Sequence, residues 1–125
     1  MHSKDAALLL ARTQAGYYLI TGILPLVSMR AFEAVTGPKT DRWLVKTVGA
    51  LVTATGASLA LAARRRTLPP ELALVAAGNA AALAVVDAVY VRKGRISPIY
   101  LLDAVVEVPF VIGWVAAWRR GLLDR

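Results

Sequence analysis

Residues 96–118 read ISPIYLLDAVVEVPFVIGWVAAW, 23 positions between Arg95 and Arg119 with no lysine or arginine. A helix needs roughly 20 such residues to cross the hydrocarbon core of a bilayer. Within the run, Asp103 and Glu107 stand one helical turn apart, where apolar surroundings make each carboxylate costly. The same bracketing recurs three times upstream. Residues 13–29 lie between Arg12 and Arg30, 47–63 between Lys46 and Arg64, and 72–91 between Glu71 and Arg92. The first two runs lengthen if Arg30 and Lys46 extend their charged heads toward lipid headgroups. The pattern predicts an all-α fold, an integral membrane antiparallel four-helix bundle. It forms one domain over 1–125, with spans at about 13–32, 43–63, 71–91 and 98–118.

Composition agrees. Apolar residues make up 58% of the 125 and the net charge is +7, with a mean hydropathy of +0.57. An ordinary soluble domain of this size needs a more polar skin. The cations sit at the ends of apolar runs instead of forming a stripe, so they read as headgroup anchors and give no nucleic-acid surface. There is no cysteine, and the one histidine is His2 near the start of the chain. No metal centre or cofactor is therefore expected. The opening MHSKDAALLLAR is too briefly apolar for a signal-peptide core and reads as the approach to the first span.

Aromatic residues divide into two expected interfacial belts. Tyr17, Tyr18, Trp114 and Trp118 would lie on the face bearing both termini, and Phe32, Trp43, Tyr90 and Tyr100 on the other. In the connections, Thr40 is a candidate cap for a helix beginning near Asp41. Ser97 is a candidate cap with Pro98 at the first helical position. Short loops favour antiparallel neighbours. Eight cations fall on the terminal face and seven on the other. That bias points both termini to the cytoplasm of a bacterial inner membrane, and is slight enough to permit insertion both ways round.

Reflecting the last hairpin through residue 95 sets Asp87 opposite Asp103, with Glu107 about 6 Å deeper. Three carboxyls thus converge on one depth band of the hairpin. At low dielectric they cannot all ionise cheaply, so a proton or a cation must be shared among them. Lys46, Arg30 and Glu33 approach the same membrane face, and a network with Asp87, Asp103 and Glu107 is expected. Asn79 and Tyr100 complete the candidate ligand- or proton-binding set. Plainer roles exist: Asn79 as a bond between helices, Asp87 as a partner of Arg92 or Arg95. Gln14, Tyr17, Thr21 and Ser28 form a polar stripe on the first span. Gly49, Thr53, Gly56 and Ala60 form a small-residue stripe on the second. Pro25 and Pro109 each free a helical carbonyl, and Pro109 would bend the last span beside the acids.

The segments RTQAGYYLITGILPL and TVGALVTATGASLAL resemble the first two spans of DoxX-like proteins, small bacterial four-helix membrane chains. The resemblance implies that layout; some members look like subunits of quinone-linked redox complexes, and no redox residue carries over. DAVVEVPF resembles an acid-and-proline stretch of sterol-isomerase and sigma-2-receptor-like proteins, where it occurs on a different helix. It keeps lipophilic amines and sterols among the candidate ligands.

Three functions follow. The acids hold a proton or a small organic or lipophilic cation, with transport requiring a homodimer because four short helices leave little room for alternating access. Alternatively, they form a structural network in a non-catalytic membrane subunit or assembly factor. Third, with no Ser-His, Cys-His or phosphate-loop pattern, any catalysis falls to carboxylates and tyrosines, as in an isomerase.

Overall fold

The structure, a computed structural model, describes residues 3–124; His2 lies outside them. The chain is all-helical, with no strand among the described residues. Among the described residues five helices follow one another: α1 (Ser3–Val27), α2 (Met29–Thr36), α3 (Arg42–Arg64), α4 (Pro70–Arg92) and α5 (Tyr100–Arg119). Helices α3, α4 and α5 are each long and apolar enough to cross a membrane, and a fourth crossing results if α1 and α2 count as one bent span. Of the apolar stretch in each of the three, 22% is buried inside the protein. Most of that greasy surface therefore faces outward, Leu74, Val85, Leu102 and Val105 among it.

The expected first span over 13–32 is corrected at both ends. Helix α1 already begins at Ser3, because Ala7, Leu8, Ala11 and Ala15 recur at helical spacing and are all buried. It stops at Val27, and α2 departs at 117°. Pro25 removes one backbone donor from the last turn. Ser28 then takes an extended conformation, and its hydroxyl accepts the Ala31 N–H at 3.2 Å. It is the N-cap of a new helix, not the lowest member of an inward polar stripe. Two expected caps are also corrected. The residue before α3 is Asp41, with no side-chain cap bond. Ser97 accepts the Ile99 N–H at 3.3 Å in a turn ahead of α5, which begins only at Tyr100.

Helix α1 packs most extensively on α3, and α4 on α5; α1 with α5 and α3 with α4 touch more sparsely. The α1–α3 contact is close because the small-residue stripe faces glycine. A methyl group placed on Gly49 would meet the Gly22 carbonyl oxygen at 2.7 Å and Pro25 Cγ at 3.0 Å. One on Gly56 would meet Tyr18 Cβ at 3.1 Å. Only hydrogen fits at these crossings.

At the end carrying the chain termini, Leu8, Leu59, Leu68, Trp114 and a set of alanines close a continuous apolar core. Polar bonds tie it outside. Asp124 accepts from the Lys4 ammonium and, at 2.6 Å, from the Leu68 N–H. Arg66 pairs with Asp5 at 3.1 Å. The N-terminal helix, the α3–α4 turn and the C-terminal segment are thereby joined. The Asp124 carboxyl is held below the usual carboxylate range, first by the Leu68 N–H and then by Lys4.

Candidate functional site

Toward the other end the helices line a half-open cavity of about 490 Å³. Its walls are apolar: Leu24 and Pro25 of α1, Phe32 and Val35 of α2, Val48 and Val52 of α3, Leu83 of α4. Asp103, Glu107 and Tyr100 of α5 reach the same space. No lysine or arginine among the described residues lines it. Because α2 turns back at Ser28, Phe32 lies over the cavity instead of continuing α1 outward.

The carboxyls are met by α1. Tyr17 Oη donates to Asp103 Oδ1 at 2.5 Å, and Tyr18 Oη donates to Glu107 Oε1 at 2.7 Å. Both hydroxyls are aimed by a three-ring cluster. Phe110 packs 6.0 Å from Tyr17 and 6.2 Å, edge to face, from Tyr18. Glu107 is 1% exposed and Asp87 is 4% exposed. Asp103, half-buried, lies within hydrogen-bonding reach of both. Oδ2 of Asp87 is buried with no hydrogen-bond partner. Asp87 is not among the residues lining the cavity; it backs Asp103 from α4.

A second polar link continues toward the apolar end. Gln14, fully buried, accepts from Trp114 Nε1 at 2.6 Å and donates to the Ala76 carbonyl at 3.0 Å. It thus joins α1 to both α4 and α5. Beyond it the core is apolar, so the polar chain stops there.

The structure brings together Asp87, Asp103 and Glu107, and places Tyr100 on the cavity wall. The proposed cationic partners are not there. Lys46 and Arg30 are exposed, and neither enters an ion pair among the described residues. Glu33 instead pairs with Arg42 at 2.9 Å and accepts the Lys39 N–H at 2.7 Å. It belongs to α2 and lines a separate surface cleft with Met29 and Arg42, apart from the acids. Asn79 is also outside the cavity: its amide donates to Thr55 Oγ1 at 2.8 Å, a bond between α4 and α3. The expected belts lose three members. Tyr17 and Tyr18 are central in α1 and bonded to the acids, and Trp114 is 1% exposed. Trp118, at 53%, remains a surface residue. Helix α5 runs unbroken through Pro109.

Sequence reasoning missed both tyrosines as acid partners. The polar stripe through Gln14 and Tyr17 carried the signal for one of them. The other could be found by starting α1 at Ser3, which moves Tyr18 from its edge to its middle.

Beside the cavity wall, Lys39 Nζ lies 5.3 Å from the Tyr100 ring centre and 5.8 Å from that of Phe32. It also donates to the Thr36 and Gly37 carbonyls at 3.1 and 2.8 Å. The turn after α2 is thus fastened to α5 by a cation over two aromatic faces.

In comparison with known proteins, no family model, no curated protein and no solved structure matches this chain.

Proposed function

We propose that this is an integral membrane protein, an antiparallel bundle of four spans of the DoxX-like kind of layout, that binds a small lipophilic cation in an intramembrane acidic pocket. Support for the membrane setting comes from three or four helices of spanning length whose apolar surface faces outward. The observation that carries the ligand reading is the cavity itself. Its apolar walls end on Asp103 and Glu107, and no lysine or arginine among the described residues lines it or pairs with them. A protonated amine with a hydrocarbon body meets both demands: the body covers the apolar walls, and the ammonium supplies charge and N–H donors to the carboxyl lone pairs left open by Tyr17 and Tyr18. The slight excess of cations on the terminal face favours a cytoplasmic location of both ends of a bacterial inner-membrane protein. Transport by this pocket would call for a second copy of the chain.

A structural reading draws on the two tyrosine bonds, which satisfy part of each acid without any ligand. Asp103→Asn and Glu107→Gln separate the two. Each amide still accepts from its tyrosine but carries no charge. For the binding protein, affinity for 4-phenylbutylammonium falls at least tenfold, while the unfolding midpoint in detergent moves little. A loss of stability or of self-association, with the wild type showing no response to the amine, would establish the structural network instead.

A further inference from the structure

Asp87 poses a separate question. It is 4% exposed, and its Oδ2 oxygen has no donor within reach. The titratable groups around it are Asp103 and Glu107 from α5 and Tyr17 from α1. The parts of α2 and α3 that line the adjacent cavity contribute no titratable side chain. An ionised carboxylate in that position would be buried beside a second carboxylate with neither a cation nor a free donor to answer it. As a carboxylic acid the same group becomes a donor, and Asp103 is the acceptor within reach.

Resting on the cation-binding reading above, we propose that Asp87 is a positioning residue that keeps its proton and donates it in a hydrogen bond to Asp103. The division of labour follows from place. Asp103 reaches the cavity and is held from two sides, by Tyr17 from α1 and by Asp87 from α4. Its free lone pairs are thereby turned to the cavity as a fixed, charged acceptor. Asp87 sits behind it, never meets the ligand, and acts only through the orientation and charge of Asp103. Two donors on one carboxylate also allow it to remain charged at low dielectric, which a lone buried carboxylate could not do cheaply.

Two variants and a spectroscopic signal test this in full-length protein in detergent micelles, with 4-phenylbutylammonium as the probe. Asp87→Asn presents an amide N–H to Asp103 in nearly the same volume, so affinity stays within about threefold of wild type. Asp87→Leu fills the space without a donor, and affinity falls roughly tenfold or more, the worth of a hydrogen bond to a charged group. The infrared spectrum of the unliganded wild type carries a protonated-carboxyl C=O band that Asp87→Asn removes. Equal losses in the two variants, or no loss in Asp87→Leu, overturn the proposal. So does a carboxyl band unchanged by Asp87→Asn, a result that needs neither a ligand nor a folded leucine variant. If the wild type binds no amine yet Asp87→Asn removes the band, the proton on Asp87 stands and the cation-binding reading falls.

Discussion

The two ends of this molecule use the same four long helices to opposite effect. Near the termini, alanines and leucines close on each other, one amide bridges three helices, and ion pairs form a peripheral clasp. Near the α2 end the helices part around a cavity, and the acids turn inward with no lysine or arginine lining it among the described residues. The contrast teaches where stability and chemistry reside. A packed end holds the helix axes, which lets the other end keep a void and a cluster of acids that would be costly as isolated features.

The sharpest way to break the contrast is to attack the crossing between the two ends. Gly49→Val would drive a branched side chain into the Gly22 carbonyl and Pro25. The expected loss is about 3 kcal/mol, the upper range for an overpacked site, read as a fallen unfolding midpoint together with lost amine binding. The next effect down belongs to the packed end. Gln14→Leu strands the Trp114 N–H in an apolar core, at about 2 kcal/mol, and amine affinity should survive it wherever the protein remains folded. A change in binding larger than the change in stability would show that the two ends are not separable.

The smallest effect is that of the terminal clasp. Asp124 has its carboxyl held below the usual range by the Leu68 N–H and by Lys4. A depressed value in the folded protein means that its contribution is complete above the unfolded value of about 3.9 and is lost as pH falls through the folded value. The unfolding midpoints of wild type and Asp124→Asn should therefore differ at neutral pH and converge on acidification. A gap that widens toward acid would contradict the contact. Because the group is partly open to solvent, the difference is small.

What the sequence disclosed follows the same division. Apolar run lengths gave the long helices α3, α4 and α5 to within about two residues, since hydropathy is a property of the run and needs no knowledge of neighbours. Reflection of the last hairpin brought Asp87 to Asp103 because a short turn between two helices fixes which residues share a depth. The small-residue stripe found the α3 surface that meets Gly22. Partners across non-adjacent helices were harder. Tyr17 and Tyr18 reach α5 from the middle of α1, whereas a rule that assigns tyrosine to the interface puts both at the end of a span. Lys46 and Arg30 were placed by counting residues from loops, a measure blind to which side of the helix faces inward. The bend at Ser28 depends on Pro25 and a serine cap acting together, and neither alone ends a helix at that point.

Most depends on the two acids of α5 being bonded to the tyrosines of α1. A double-mutant cycle on unfolding free energy, combining Tyr18→Phe with Glu107→Met, tests that contact. A coupling of about 1 kcal/mol or more is expected for a buried hydroxyl–carboxyl bond. Strict additivity of the two substitutions would contradict it.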